Sequence, residues 1–408
     1  MSASDKPTVL IVGAGLGGLL LGALLEKSGV PYVMFERAAD IKPLGSAMAV
    51  GPNLLPVFEQ LGIYDEFLAI SKPTNEVAYF TENWEAYKPA DQRPIEELGG
   101  YGFRIVSRTM LHALFIKQVP AHKVHFGNRV LNVTEDNDKV TIHLSNNTTF
   151  VGDVVVGADG AYSAVRQRMY DQLKNKGELP RSDYEELPFS YTCLVGQTEA
   201  LDPDEFPCIK DPFCQFNLVL ALEQRFRNNE NSEWGAYSTQ VMCNETRDFP
   251  IHLGDGRKRT IGELYDKTPK EFISKVMLEE KVFDTWYSGR CVLLGDGGVT
   301  AMHDAIALAN LLYALPSSSS SDITKIFEEY HAEQFPVVTY AFKSSQLACK
   351  MIGKGIVGSV ALYIGTHMPM WLWKKVKNVK CNGGAVPSVT NDHEWDPQGC
   401  LVQGSDGA

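Results

Sequence analysis

Residues 6–37 read KPTVLIVGAGLGGLLLGALLEKSGVPYVMFER, and the order of residue types in this stretch decides the fold. The apolar, β-branched run Thr8–Val12 predicts a buried strand, and Leu19–Lys27 is a nearly all-apolar helix former stopped by Gly29. Between them stands Gly13-Ala14-Gly15-Leu16-Gly17-Gly18, and a second β-branched run, Tyr32–Phe35, ends on Glu36. Strand, glycine turn, helix and acid-tipped strand in this order make a dinucleotide-binding βαβ unit. Gly13 permits the tight turn, Gly15 lets the main chain approach a pyrophosphate, and Gly18 lets the helix lie close on the strand. The amides at the helix N-terminus favour an anion, and Glu36 sits where an acid reaches a ribose hydroxyl.

FAD and NAD share this fingerprint, so the stretch alone does not separate them. The chain of 408 residues is long enough for two packed domains, and its net charge of −12 argues against a nucleic-acid surface. Its densest basic runs, Arg257-Lys258-Arg259 and Lys374-Lys375, do not change that. The eight cysteines are scattered without a C-x-x-C pair, which predicts no metal site and a reducing compartment. MSASDKP leads straight into the first strand, so no removable signal peptide is expected and the reading is cytoplasmic. Residues 351–373 are mostly apolar and are followed by Lys374, Lys375 and Lys377, which leaves membrane association open. Lys354, His367 and Pro369 weaken a spanning helix, and docked helices of the soluble body are the plainer reading.

Further along, Leu54–Leu61 predicts a short helix closed by Gly62, and residues 72–100 predict the first strands of a second domain. Tyr101–Val106 predicts a strand, with Ser107 capping a helix that runs to about Val119. Lys123–Phe126, Arg129–Glu135, Lys139–Leu144 and Thr148–Val151 alternate as a β-meander does. Val154–Val156 predicts a strand buried on both faces, Phe189–Gln197 a strand, Pro269–Leu278 a helix, Cys291–Leu294 a buried strand and Ala301–Leu315 a helix. Ser317–Ser321 reads as a loop with Asp322 as the cap of the next helix, and Ile323–Met351 as helical sequence broken at Pro336. The expected fold is α/β: a doubly wound, Rossmann-like cofactor-binding domain with an inserted mixed-sheet substrate domain and a helical C-terminal portion. Its cofactor domain would comprise residues 1–75, 101–188 and 285–345, the substrate domain 76–100 and 189–284, and the C-terminal segment 346–408.

Two more pieces stand apart, GADGAYSAVR at 157–166 and GRCVLLGD at 289–296. In each an aspartate, Asp159 or Asp296, follows a buried strand, where it serves either as a turn or cap residue or as a ligand contact. Together with the glycine turn, these pieces resemble the FAD-dependent aromatic hydroxylases of the para-hydroxybenzoate hydroxylase type. The resemblance is strongest to the fungal FAD-binding monooxygenases of secondary metabolism, and it extends to about residue 345. It implies that Gly13, Gly15, Gly18, Glu36 and the adjoining Arg37 hold the ADP half of FAD. It further implies that Arg108 in RIVSRTML reaches the flavin cofactor, and that Asp159 and Gly160, with Ser163 and Arg166, serve FAD and NAD(P)H. Asp296 would take ribityl hydroxyls, and Gly45 and Ala49 would offer backbone contacts beside the ring. The implied chemistry is reduction of FAD by NAD(P)H, addition of O₂ to give a flavin hydroperoxide, and transfer of one oxygen atom to a small aromatic or apolar substrate. The resemblance names no catalytic side chain.

The sequence departs from that pattern in definite places. The family's G-D element continues as A-x-H-x-x-x-P-x-x-G-x-G, whereas Asp296 is followed at once by Gly297-Gly298 and helix-like sequence. In the strand Tyr191-Thr192-Cys193, threonine stands where the family has an arginine, and residues 213–222 run directly into the polar stretch 223–234. A non-catalytic flavoprotein that binds at most the ADP moiety is therefore the alternative reading. An NAD-dependent dehydrogenase would use the same glycine turn but leave Asp159-Gly160 and Gly295-Asp296 unexplained. His303, beside Asp304, reads as a structural histidine, and Trp371 and Trp373 as interfacial or core aromatics.

Overall fold

Val9–Val12 (β1), four apolar residues all buried, lies in the middle of a six-stranded sheet. It pairs in parallel with Tyr32–Phe35 (β2) on one side and with Val154–Gly157 (β3) on the other. β2 pairs in parallel with Val124–His125, and β3 with Cys291–Leu293 (β4), whose outer edge is closed by the antiparallel Tyr287–Ser288. Strands so flanked are buried on both faces, which is why Val9, Ile11, Val154, Val155 and Val156 read as an unbroken apolar run. The computed structural model describes residues 6–40, 47–77, 89–136, 138–185, 189–199, 201–202, 204–205, 217–223, 236–251, 257, 259–279, 281–295 and 297–352.

Helices cover both faces. Leu16–Ser28 (α1) is apolar around its circumference because it is packed all round, chiefly against Gly298–Ala314 (α3). Leu19, Leu20, Leu21, Leu24, Met302, Ala305 and Leu308 form the centre of that core, where each fully buried leucine contributes about 1.5–3 kcal/mol. On the opposite face, Ala164–Lys176 (α2) sets Val165, Met169 and Leu173 against Leu10, Val12 and Val155. A second layer on that side is the antiparallel three-stranded sheet of Val130–Glu135, Val140–Leu144 and Thr149–Gly152.

The doubly wound α/β architecture is as the sequence indicates, and several local readings are corrected. Of the four runs taken as a meander, the first, Val124–His125, leaves it to extend the main sheet. Residues 269–278 are not a helix: Lys270–Phe272 form one 3₁₀ turn and Ser274–Glu279 a strand antiparallel to Phe189–Gln197. That strand and Asn217–Glu223 flank Phe189–Gln197 in a separate three-stranded sheet, so cross-strand pairing overrides the helix-forming Lys, Met, Leu and Glu. Residues 93–99 are a short helix rather than strand, while 78–88 lie outside the described residues.

Ser320–Ile352 (α4) runs unbroken through Pro336. Upstream it is pinned by buried Ile323, Phe327 and Tyr330, and Pro336 itself faces solvent, so the lost amide bond is absorbed. Ser319, not Asp322, caps it, accepting the Asp322 amide on its hydroxyl. No described helix is long and apolar enough to cross a membrane, and residues 353–373 of the apolar segment lie outside the described residues.

Candidate functional site

The C-terminal ends of β1, β3 and β4 open onto a groove of about 280 Å³, and its walls bring together residues drawn from far apart in the chain. Gly13, Gly15, Glu36, Arg37, Arg108, Asp159 and Gly160 all line it, together with Gly295 and Gly298. Gly18 lies beneath, where it holds α1 against the turn. Ala49 stands in the strand Ala47–Val50 opposite Ile105 and is not among the wall residues. Gly45 and Asp296 lie outside the described residues.

At the turn, Gly13 has φ +107, and its amide is held by the Phe35 carbonyl at 2.8 Å. A Cβ on Gly18 would fall on the Gly13 carbonyl oxygen, so only glycine lets α1 start this close to β1. Gly15 differs: a Cβ there meets no protein atom within 4 Å and would project into open space. No side chain caps α1, whose N-cap is Gly15 and whose first turn carries no acid, so its leading amides and positive dipole end are left for an anion in the groove.

Glu36 is held in place by the backbone it borders. Its Oε2 accepts the Ala14 amide at 2.9 Å and its Oε1 the Ala38 amide at 2.8 Å, leaving further lone pairs on both oxygens for a diol. Asp159 resolves the choice between cap and ligand contact partly in favour of the cap. The Ser163 hydroxyl donates to one of its oxygens and the Ala164 amide, at 2.6 Å, to the other. Burial still pushes this carboxyl upward, because desolvation outweighs the donors. Asp159 thus ties the N-terminus of α2 to the rim of the groove.

Two residues that the sequence reading passed over anchor the site. His112, one helical turn after Arg108 in the helix Arg108–Ile116, is buried, and its Nε2 meets the Ala14 carbonyl at 2.7 Å. Burial lowers its pKa, so the ring is neutral; Nε2–H donates and Nδ1 is left without a hydrogen-bond partner in the described structure. The i, i+4 spacing of Arg108 and His112 in an otherwise apolar helix was the available signal.

The second anchor is Asp304, fully buried on α3, whose Oδ2 accepts the Gly295 amide at 2.8 Å. Burial raises its carboxyl to about 7. Tyr330 of α4, also fully buried, donates to the Leu293 carbonyl at 3.0 Å and stands beside that carboxyl. Asp304 therefore fastens the turn after β4 from below. α3 already begins at Gly298, so only a short connection follows Leu294.

Next to Asp304, His303 Nε2 lies 2.6 Å from the Asn53 side-chain nitrogen, linking α3 to the segment that follows strand Ala47–Val50. Burial pushes this imidazole down to about 4, so it is neutral near pH 7. With the folded pKa depressed, its contribution to stability is present above about pH 6.5 and is lost as pH falls toward 4. His303→Gln should flatten that acid limb, and denaturant midpoints measured from pH 7 to pH 4 on both proteins would check it.

A parallel sheet ending in a glycine-turn groove with an uncapped helix N-terminus, and an acid on the neighbouring strand, define a dinucleotide-binding domain. The chain belongs to the FAD binding domain family, whose model matches residues 6–345. It is similar to the FAD-dependent monooxygenase paxM of Penicillium paxilli, at 26% identity over 86% of this chain and 80% of that protein. It is also similar to the FAD-dependent monooxygenase atmM of Aspergillus flavus, at 23% identity over 90% of this chain and 84% of that protein. Among solved structures, Klebsiella pneumoniae HpxO complexed with FAD and uric acid has the same fold, with a TM-score of 0.70, 20% identity, and coverage of 92% of this chain and 96% of that one. The expected kinship with flavin-dependent monooxygenases of fungal metabolism therefore stands, and with it the assignment as an oxidoreductase flavoprotein.

Proposed function

We propose that this protein is an FAD-dependent monooxygenase that takes electrons from NAD(P)H and transfers one atom of O₂ to a small aromatic or apolar organic substrate. The observation that carries the reading is the uncapped N-terminus of α1 facing a groove that runs from Glu36 to Gly295. Gly15 leaves room for a pyrophosphate, Glu36 offers free lone pairs to a ribose, and Arg37 and Arg108 add positive charge to the walls. These residues fit FAD, which when bound would supply the electron transfer and oxygen activation that side chains lack.

The chain's own part is to bind and orient. His112 and Asp159 hold the rims, Glu36 and the amides of α1 fix the ADP end, and Asp304 sets the turn at the ribityl end. Asp296 belongs to this reading as the acceptor of ribityl hydroxyls, and Gly45 as a backbone contact. Residues 1–75, 101–188 and 285–345 serve as the FAD-binding domain, and the sheet centred on Phe189–Gln197, within 189–284, as the substrate-facing part.

The test is a visible absorption spectrum of the purified full chain before and after FAD, and then after NADPH in air. Flavin bands that remain with the protein through gel filtration and bleach with NADPH are the expected result. Retained flavin that neither NADPH nor NADH reduces would overturn the monooxygenase reading in favour of a non-catalytic flavoprotein, and a chain that keeps no flavin would overturn it in favour of an inactive relative that binds at most the ADP moiety.

A further inference from the structure

Beside the glycine-turn groove lies a second cavity, of about 410 Å³, which shares Gly160, Leu294 and Gly295 with it and reaches α4. Its chemistry is different. Phe283, Trp286, Val338 and Phe342 make its walls largely apolar. Arg166 and Lys281, both half-buried, also line it, and no carboxylate is present among its described lining residues.

The two cations converge on one ring. The Arg166 guanidinium lies 4.4 Å from the centroid of Phe283 and the Lys281 ammonium 4.9 Å from it. Arg166 gives one N–H to the Ala161 carbonyl, and Lys281 gives one to the Glu185 carbonyl at 2.6 Å. A guanidinium has five N–H donors and an ammonium three, so the bonds among the described residues take up one donor of each. Two like charges held against an apolar wall favour an anion that joins them.

We propose that this cavity is a binding site for a ring-bearing, apolar organic anion, separate from the FAD groove. The ring packs among Phe283, Trp286 and Phe342, and a carboxylate or sulfonate lies between Arg166 and Lys281. The volume is within the range of small-molecule sites, and the mixture of aromatic walls with a few convergent polar groups is what such sites share. The inference concerns binding alone and stands whether or not the chain oxidises a substrate.

Isothermal titration calorimetry of the full chain in excess FAD tests it, with anilinonaphthalene sulfonate as the anionic probe and uncharged N-phenylnaphthylamine as its counterpart. Saturable binding of the anion to one site, about tenfold tighter than the neutral probe, is expected. Lys281→Gln should weaken the anion five- to tenfold and leave the neutral probe unchanged. Ala341→Trp, at an exposed position of α4 on the cavity wall, should weaken both at least tenfold while FAD affinity is kept. Equal affinity for the two probes, or binding indifferent to Ala341→Trp, would overturn the proposal. So would a probe that binds without FAD and is displaced by it, since the cavity would then belong to the cofactor.

Discussion

Gly15→Val should leave the protein folded with an unchanged melting temperature and lower its affinity for FAD by at least a hundredfold. The added side chain meets no protein atom within 4 Å, and Gly15 already has an ordinary φ of −74. What it does fill is the space over the uncapped end of α1, where a pyrophosphate would take the leading amides at contact distance. Gly18→Val is the control with the opposite signature. Its Cβ would fall on the Gly13 carbonyl oxygen and stand 3.2 Å from the Ala158 side chain. Neither backbone can yield, since Gly13 is bonded to Phe35 at 2.8 Å and Ala158 to Val12 at 2.7 Å. Overpacking of this kind costs about 1–3 kcal/mol or more, so melting temperature and FAD affinity should fall together. Calorimetric melting and flavin fluorescence titration on the two variants separate the effects. Retention of wild-type FAD affinity by Gly15→Val would remove the pyrophosphate from this turn.

The second large effect concerns Asp304 and has a defined dependence on pH. Burial raises its folded pKa to about 7, whereas in the unfolded chain an aspartate titrates near ~3.9. The folded protein thus holds the proton more tightly than the unfolded one. The resulting advantage is complete below the unfolded pKa and is lost as pH rises through the folded value. Asp304→Asn keeps an acceptor for the Gly295 amide and cannot ionise. The variant should therefore gain on the wild type between pH 4 and pH 7, by at most about 4 kcal/mol for a shift of this size, and hold that gain above it. Urea unfolding of both proteins across that range measures the difference. A difference that does not vary with pH would mean that Asp304 is ionised throughout, and that its role is only to accept the Gly295 amide. His303 works in the reverse direction between about 6.5 and 4, so the two single variants must be compared separately.

The parts of the fold that were legible are those whose signal is local. β1, α1 and β2 announce themselves by period, by glycines and by a terminal acid within residues 6–37, and β3 and β4 by short runs buried on both faces. Ser274–Glu279 has a composition that suits a helix, and only its partner, Phe189–Gln197, makes it a strand. Pro336 reads as a break in the sequence because the buried anchors that carry α4 past it lie upstream, at Ile323, Phe327 and Tyr330. The site divides in the same way. Gly13, Gly15, Gly18 and Glu36 could be named from motif and spacing, and Arg37, Arg108, Asp159 and Gly160 through the family resemblance; all of them except Gly18 wall the groove. Asp304 could not, and His112 only through its i, i+4 spacing from Arg108, because each acquires its role from a contact made in three dimensions. His112 meets a carbonyl 98 residues away in the chain, and Asp304 meets the amide of a turn on the preceding strand.

The β4–α3 junction is fastened from beneath rather than by the residues that cross it. Asp304 grips the turn from within the helix, Tyr330 braces the strand end, and His303 reaches the segment around Asn53, so the helix is registered by contacts below the junction. None of them depends on how many residues cross from one element to the other. The core beneath the crossing thus keeps its packing by its own contacts, much as a bracelet clasp holds whatever length of chain is threaded between its two ends.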